Sequence, residues 1–335
     1  MNWLGLDIGG ANIKISDGRE YARSEPFALW REPGELYPKL QELTATAPAT
    51  DALAVTMTGE LADCFRTKSE GVRAIVDAVV EVAGARRVRI YLTDGTFAPP
   101  GVAVDRYREA AASNWHALAT VAAGLIDGER AVLIDVGSTT TDIVPIVEGR
   151  ITAVGKDDTS RLASGELVYT GVRRTPLAAI VDWLPWHDER VPVAAEAFAT
   201  SLDAYLWLGE IAESLETDGT ADGRAATREA ARDRLARMIC ADREVFSEED
   251  ALVVAQYVCQ CQTAAIGKAL LQVSATLGGR PTHGVISGSG EFLARLVAQR
   301  MNLNVASMSE AIGSDASACA AAYAVATLAA KEQSA

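Results

Sequence analysis

One local pattern occurs twice in this chain, and the duplication limits the fold more than any other feature. "LGLDIGGANIK" (4–14) and "IDVGSTTTDIV" (134–144) both consist of an apolar run that ends in Asp, a Gly-containing turn and small polar residues. Each copy predicts a strand that turns sharply into a β-hairpin. Two such copies, separated by about one small domain, predict a protein with two related halves.

The remaining segments alternate between strand and helix patterns. Helical periodicity is found at 69–84, 107–126 and 313–330, and the chain between 193 and 278 is predicted to be mainly helical. Strand patterns at 51–61, 87–95 and 284–287 stand between them. This alternation predicts an α/β protein, and a length of 335 residues favours two domains over one.

Composition excludes several classes of partner and site. The formal net charge is −14, which disfavours nucleic acid and anionic membrane surfaces as partners. The five cysteines form no CxxC or Cys/His cluster, so neither zinc nor a disulfide framework is predicted. The N-terminus has no signal-peptide pattern, and no apolar run is long enough for a membrane span. We therefore expect a soluble, cytoplasmic protein.

The duplicated turns have the chemistry of a phosphate site. Gly lacks a Cβ and tolerates positive φ, so a Gly-rich turn directs several backbone N–H groups at one point, where they bind phosphate oxygens. Asp7 and Asp135 would repel a phosphate directly and are predicted to hold Mg²⁺, while Lys14 supplies a positive charge. The predicted phosphate-binding residues are Gly9, Gly10, Asn12, Gly137, Ser138, Thr139 and Thr140.

A third glycine loop, "SGSGEF" (287–292), lies between a predicted strand and a predicted helix. Gly288, Ser289 and Gly290 are placed where a phosphate or nucleotide meets a helix N-terminus. Each of the three motifs alone is also typical of an ordinary turn, and it is their order along one chain that is specific.

That ordered set resembles the actin/heat-shock-ATPase/sugar-kinase superfamily. In its members two ribonuclease-H-like domains face each other across a cleft, and each domain supplies one phosphate hairpin. The resemblance covers essentially the whole chain and implies that its end crosses back to the first domain. We expect a first domain of residues 1–127 and 308–335, and a second domain of residues 128–307 with a helical insertion.

A narrower resemblance is carried by "GELVYTGVRRTP" (165–176), "TMTGELADCF" (56–65) and "TADGR" (220–224). These segments resemble the hydantoinase/oxoprolinase-like branch, and within it the proteins associated with tetrahydromethanopterin-linked one-carbon transfer. The resemblance implies an ether-forming transferase of methanofuran biosynthesis. Such an enzyme joins an aminomethyl-furan-methyl diphosphate to γ-glutamyltyramine and releases pyrophosphate.

For this chemistry we expect the catalytic residues to be Asp7, Lys14, Glu60 and Asp142. Glu60 follows a strand and is the candidate general base for the phenol proton, although a solvated loop Glu has the same pattern. The expected substrate-binding residues are Glu166, Tyr169, Arg173, Arg174 and Asp222; Arg suits bidentate anion binding, whereas Asp222 also belongs to an Asp-Gly turn signal.

The residues leave two other functions open. The first is an ATP-dependent kinase or amide hydrolase of the same superfamily, for which ATP would be the cofactor in addition to Mg²⁺. The second is a non-catalytic assembly or sensor protein whose cleft closes on a nucleotide. The expected partners are small molecules, namely a diphosphate and a phenolic amine, and the choice between a monomer and a homodimer stays open.

Overall fold

A computed structural model of the protein describes residues 1–126, 130–215 and 219–333. The sequence-predicted domain boundary at 127/128 and part of the predicted polar break at 216–226 lie outside these residues.

The first half of the chain forms a six-stranded sheet. Its strands are β1 (Trp3–Ile8), β2 (Asn12–Ser16), β3 (Ala22–Pro26), β4 (Ala52–Met57), β5 (Arg87–Tyr91) and β6 (Phe97–Ala98). Their spatial order is β3-β2-β1-β4-β5-β6, with β1 antiparallel to β2 and parallel to β4. The helices of this half are α1 (Leu36–Thr46), α2 (Lys68–Ala83), α3 (Pro100–Asp105), α4 (Tyr107–Ala110) and α5 (Asn114–Ala122).

The second half repeats this arrangement. Its strands are β7 (Arg130–Val136), β8 (Thr141–Val147), β9 (Arg150–Ile151), β10 (Leu167–Val168), β11 (Trp183–Trp186), β12 (Glu189–Pro192), β13 (His283–Ser287) and β14 (Asn304–Ser307). The main sheet has the order β10-β8-β7-β13-β14, with β9 also on β8, while β11 and β12 form a separate hairpin. β7 is antiparallel to β8 and parallel to β13, as β1 is to β2 and β4.

The helices of the second half are α6 (Asp158–Ser164), α7 (Ser201–Leu208), α8 (Arg228–Arg237), α9 (Glu248–Thr276) and α10 (Glu291–Arg300), and the chain ends with α11 (Met308–Ile312), α12 (Ser314–Ala318) and α13 (Ala320–Glu332). We call β1–β6 with α1–α4 the first lobe, and β7–β14 with α6–α11 the second lobe. Two sheets of matching order make this an α/β protein with two ribonuclease-H-like domains, as predicted.

The last helix returns to the first sheet. α13 packs on β1 so closely that a Cβ built on Gly5 would lie 1.9 Å from the carbonyl oxygen of Ala322. Only a glycine allows this approach. The chain therefore begins and ends on the first sheet, while the precise domain limits stay a prediction.

α5 lies between the two lobes. Its Trp115 and Leu118 pack in one cluster with Val144 and Val285 of the second sheet, and its Ala117 packs in a cluster with the first sheet and α13. A helix that is buried on two sides joins the lobes through apolar contacts and fixes the region from which the cleft side chains project.

Two helices predicted as continuous are interrupted, so those predictions were wrong. The segment 107–126 is broken at 111–113, where Ala112 has φ 47°. The break lets the Ser113 hydroxyl donate to the Tyr91 carbonyl oxygen (2.9 Å) and meet the Thr56 hydroxyl (2.9 Å). The segment 313–330 is divided at Cys319, whose φ and ψ of −110° and 28° are not helical.

Candidate active site

The two duplicated hairpins have the same internal geometry. In the first, the Gly9 N–H donates to the Asn12 carbonyl (3.0 Å), and in the second the Gly137 N–H donates to the Thr140 carbonyl (2.8 Å). Each bond closes a short turn and leaves the intervening amides outside the sheet ladder. Among the described residues no acceptor is found for the amides of 10–11 and 138–139, so they are available to an anion.

The register of the hairpins places charged residues in equivalent positions. Asp7 on β1 stands opposite Lys14 on β2, and Asp135 on β7 stands opposite Asp142 on β8. Lys14 and Asp142 therefore correspond to each other in the two halves. The residue opposite the repeated aspartate is thus a lysine in the first hairpin and a second aspartate in the second hairpin.

Asp7 and Asp135 share one electrostatic environment although they belong to different lobes. Burial raises the pKa of Asp7 to about 6, with Lys14 lowering it and Asp142 raising it. Burial also raises the pKa of Asp135 to about 6, Asp142 and Asp7 add to this rise, and Lys14 opposes it. Contacts between the lobes agree with this: Arg174, which bonds to Ser138 of the second hairpin, lies over the Trp30 ring, and Leu29 beside Trp30 donates its N–H to the Gly10 carbonyl of the first hairpin (3.0 Å). The two hairpins therefore face one cleft.

The aspartates fit a hydrated Mg²⁺ ion. The Oδ1 atoms of Asp7 and Asp135 are both buried without a hydrogen-bond partner, and such orphaned carboxylate oxygens are costly unless a cation or donor meets them. Within residues 1–126, 130–215 and 219–333, no group of three His, Cys, Asp or Glu side chains is arranged to hold a metal by itself. Mg²⁺ bound by one or two carboxylates, with water and phosphate as its other ligands, matches this donor set.

A loop from the motif 165–176 covers the second hairpin. A Cβ on Gly171 would lie 2.4 Å from the Thr139 amide nitrogen, so only glycine permits the contact. The N–H groups of Val172 and Arg173 donate to the carbonyls of Gly137 and Ser138, both at 3.0 Å. These bonds occupy the carbonyls of the turn and leave its amides free for an anion.

The first hairpin has a matching cover. The loop that follows β4 donates the N–H groups of Thr58 and Gly59 to the Ile8 carbonyl, each at 3.0 Å. A Cβ on Gly59 would lie 3.1 Å from the backbone of Gly9. This close packing places the next residue, Glu60, beside the first phosphate hairpin.

Glu60 is a buried carboxylate with a chemically useful pKa. Its residue is 1% exposed, its Oε2 has no hydrogen-bond partner, and its Oε1 lies 3.7 Å from the Lys68 Nζ. Burial raises its pKa to about 7; Lys68 opposes the rise and Asp158 adds to it. A carboxylate that titrates near neutral pH is suited to accept a proton.

Asp142 is held by an arginine that the sequence did not single out. The Nη1 of Arg161 donates to Asp142 Oδ1 (2.8 Å), its Nη2 donates to the Glu166 carbonyl (2.9 Å), and its guanidinium lies over the Trp115 ring at 4.0 Å. Burial nevertheless raises the pKa of Asp142. The Asp142 carboxylate raises the pKa of both Asp7 and Asp135, and Arg161 fixes one of its oxygens. These contacts suit a residue that orients the site.

The predicted substrate-binding residues are placed differently from one another. Tyr169 is 68% exposed, and Arg173 is exposed next to the second hairpin. The Arg174 guanidinium lies 4.9 Å from the centre of the Trp30 ring and so joins the second lobe to the first. Of these three side chains, Arg174 is the one with a contact across to the first lobe.

Glu166 does not point to a substrate. It is buried, and its two carboxylate oxygens accept the N–H groups of Val154 (2.6 Å) and Gly155 (2.8 Å). A carboxylate occupied in this way fixes the neighbouring loop. Its predicted role as a substrate ligand is therefore replaced by a structural one.

Asp222 lies in the helical insertion and not at the hairpins. It accepts from Arg224 (2.7 Å) and from Arg234 (3.0 Å), and Arg234 also pairs with the buried Asp203 (2.7 Å). These ion pairs tie the segment before α8 to α7. The Asp-Gly turn signal, and not ligand binding, was the correct interpretation of this residue.

The third glycine loop borders the second hairpin. Gly288 has φ 91°, and a Cβ there would lie 2.7 Å from Asp135 Oδ1. The Gly290 N–H donates to the Val136 carbonyl (2.8 Å). A cavity of about 300 Å³ opens beside the loop; it is lined by Gly288, Ser289, Glu291, Phe292, Arg295, Ser309, Ser314, Ser317 and Ala318.

A larger cavity, of about 520 Å³, lies elsewhere. It is lined by residues of both chain ends and of the turn that follows β2, including Trp3, Asp17 and Lys331. None of the predicted site residues lines it, and it is at the opposite end of β1 from Asp7. Size alone therefore does not mark the active site, which is better located by the paired hairpins.

Four cleft residues were missed by sequence reasoning: Trp30, Lys68, Asp158 and Arg161. Lys68 Nζ lies 3.1 Å from Asp158 Oδ2 although the two residues are 90 positions apart. No short motif signals a pair at such a separation. The segment "GELVYTGVRRTP" (165–176) begins directly after α6 but includes neither Asp158 nor Arg161.

Comparisons with known proteins bear on the family and the fold of the chain. A family model described as hydantoinase/oxoprolinase matches residues 51–332. A protein of Methanocaldococcus jannaschii named (4-{4-[2-(gamma-L-glutamylamino)ethyl]phenoxymethyl}furan-2-yl)methanamine synthase is 33% identical over 332 residues, which are 98% of either chain. A protein of the same name from Methanococcus vannielii is 31% identical over 201 residues, which are 59% of this chain and 89% of that protein.

Two solved structures share the fold at low identity. Nucleotide-free acetone carboxylase has a TM-score of 0.54 and 12% identity, over 97% of this chain and 70% of that chain. A PilM–PilN type IV pilus biogenesis complex has a TM-score of 0.50 and 13% identity, over 98% of both chains. In the part of the chain that the structure describes, none of the helices has the length and apolarity needed to cross a bilayer.

Proposed function

The chain belongs to the hydantoinase/oxoprolinase family, and we propose that it is an ether-forming transferase that joins an aminomethyl-furan-methyl diphosphate to γ-glutamyltyramine and releases pyrophosphate. The observation that carries the proposal is the 33% identity, over nearly the whole of both chains, to a synthase of that phenoxymethyl-furan amine. The bond that distinguishes this product is the ether between a phenol oxygen and a furan-bound CH₂ group.

The paired hairpins support a diphosphate as the leaving group. Free amides at 10–11 and 138–139 would bind its oxygens from two sides, and Lys14 would add a positive charge. Mg²⁺ held by Asp7 and Asp135 would neutralise charge on the diphosphate as it leaves. The chain's own amides and Lys14 would orient the diphosphate so that the C–O bond to be broken points away from them.

Glu60 supports the other half of the reaction. In the proposed step the phenol oxygen forms a bond to the CH₂ carbon, and the electron pair of the broken C–O bond stays on pyrophosphate. The phenol proton passes to the unpartnered Oε2 of Glu60. A buried base with a pKa of about 7 is partly ionised at neutral pH and can take up this proton.

The two arginines that follow Gly171 would bind the acceptor. Arg173 and Arg174 are on the loop that covers the second hairpin, and Arg174 also contacts Trp30 of the first lobe. Arg suits carboxylates because its guanidinium binds them through two parallel hydrogen bonds. We propose that they hold the glutamyl carboxylate of the tyramine substrate.

The proposal is tested by measuring pyrophosphate release and the ether product with purified protein, Mg²⁺, the furan-methyl diphosphate and γ-glutamyltyramine. Release should depend on the acceptor, and the product should have the mass of the ether. Asp7→Asn and Asp135→Asn should each lower kcat/KM on the order of 100-fold.

Three results would contradict the proposal. Pyrophosphate released equally without the tyramine would indicate hydrolysis of the diphosphate. Turnover of ATP with no reaction of the furan diphosphate would favour the kinase or amide-hydrolase alternative, and stabilisation by ATP without any turnover would favour the sensor.

A further inference from the structure

Lys68 is shared between two carboxylates that belong to different lobes. Its Nζ lies 3.1 Å from Asp158 Oδ2 on α6 and 3.7 Å from Glu60 Oε1 in the loop before α2. The Lys68 and Asp158 side chains are 27% and 31% exposed, whereas that of Glu60 is 1% exposed. One ammonium group thus connects a buried carboxylate of the first lobe to a half-exposed carboxylate of the second.

The surroundings of Glu60 leave few other charges to influence it. Within the described residues, the charged groups that act on it are Lys68 on α2 and Asp158 on α6. Hydrogen bonds from its own N–H and from that of Ala112 also favour its ionised form. The α2 backbone packs on the backbone of Glu60, since a Cβ on Gly71 would lie 2.0 Å from the Glu60 carbonyl oxygen. Burial is the largest influence on the ionisation of Glu60, and among the charged groups the Lys68 ammonium group is the one that favours the ionised form.

An ammonium group divided between two carboxylates stabilises each of them less than it would stabilise one alone. Contact with Asp158 draws Lys68 towards the second lobe and adds a negative charge near Glu60. Both effects make ionised Glu60 a stronger base. When Asp158 is further away, Lys68 pairs with Glu60 alone and weakens it as a base.

We propose that Lys68 is a positioning residue that sets the base strength of Glu60 through its ion pair with Asp158 across the cleft. This inference rests on the proposed function only for the use of Glu60 as the base; the coupling of the three groups is a property of the free protein.

The test compares Lys68→Met with Asp158→Asn, because both remove the same cross-lobe ion pair but leave opposite charges near Glu60. The titration of Glu60 is followed in the substrate-free protein by the infrared carbonyl band of its protonated carboxyl group, which is identified by its loss in Glu60→Gln. Lys68→Met should move the midpoint to higher pH, and Asp158→Asn should move it to lower pH, each by about one pH unit.

The acid limb of the pH profile of kcat/KM should move in the same two directions. Lys39→Met is the matched control, because Lys39 pairs with Glu25 and Glu42 and has no contact with Glu60. The titration midpoint of Glu60 in this variant should equal that in the wild type.

If the ion pair only tied the lobes together, both variants would move the midpoint alike or not at all, and either result would overturn the inference. Opposite shifts in a protein that makes no ether would leave the coupling intact and refute the proposed function instead. Ether formation together with unmoved midpoints would support the proposed function and overturn the coupling.

Discussion

Replacement of Glu60 by Gln should stabilise the protein while removing its activity. Burial raises the pKa of Glu60 from 4.5 to about 7, so the folded protein holds this proton more tightly than the unfolded chain does. The stabilising effect of the proton is complete below pH 4.5 and is lost as the pH rises towards 7. Above that pH the folded state contains a buried charge with only partial compensation.

The size of the effect follows from the pKa. A change of one pH unit in a pKa corresponds to 1.36 kcal/mol, so ionised Glu60 destabilises the fold by about 3 kcal/mol above neutral pH. In Glu60→Gln this cost is absent. The difference in unfolding free energy between variant and wild type should therefore be small near pH 4.5 and should rise to about 3 kcal/mol near pH 8.

Urea unfolding at several pH values, followed by tryptophan fluorescence, measures this difference. Glu81→Gln, at an exposed position of α2, is the matched control, and its difference from wild type should not vary with pH. A difference for Glu60→Gln that is flat across this range, or that falls with pH, would refute the reasoning. Kinetics of the same variant should show loss of ether formation at every pH.

Three further predictions concern the supports of the site. Gly171→Ala should lower kcat/KM on the order of 100-fold by displacing the second hairpin turn, whereas Gly34→Ala, whose added methyl group meets nothing within 4 Å, should leave steady-state kinetics unchanged. Arg161→Leu should lower the unfolding free energy by about 3–5 kcal/mol, because Asp142 is left buried and unpaired; adding Asp142→Asn should recover part of this loss, and a purely additive double variant would contradict the pairing. Asp222→Asn should lower the melting temperature without changing KM. A raised KM would indicate instead that Asp222 binds substrate.

The two duplicated hairpins were predictable because their information is local. An apolar run that ends in Asp, followed by a glycine turn, specifies a strand and the residues at which it reverses. The repetition of the pattern then predicted matching sheets, and the structure has β1 and β7 in equivalent positions with the same turn bond. The position of Glu60 at the end of a strand was also predictable from local sequence, since it follows a strand and a glycine.

The breaks in the predicted helices had a tertiary cause. Periodicity and helix propensity are continuous through Ala112 and Cys319, so a single helix is the local expectation in each case. Ala112 adopts φ 47° next to Ser113, whose hydroxyl bonds to Tyr91 at the end of β5. Cys319 separates α12 from α13, the helix that packs on β1. Contacts with distant strands outweigh propensities of a few tenths of a kcal/mol per residue.

The duplicated hairpins and the α/β class were predictable because each depends on neighbours along the chain, whereas phosphate binding by their turns stays a prediction. Which carboxylates are free depends on contacts between distant parts of the chain. The tertiary structure pairs Asp142 with Arg161, occupies Glu166 with backbone amides, assigns Asp222 to the helical insertion and leaves Glu60 beside Lys68. A side chain's charge is written in the sequence, but its pKa and its availability depend on burial and on partners that folding brings from far along the chain.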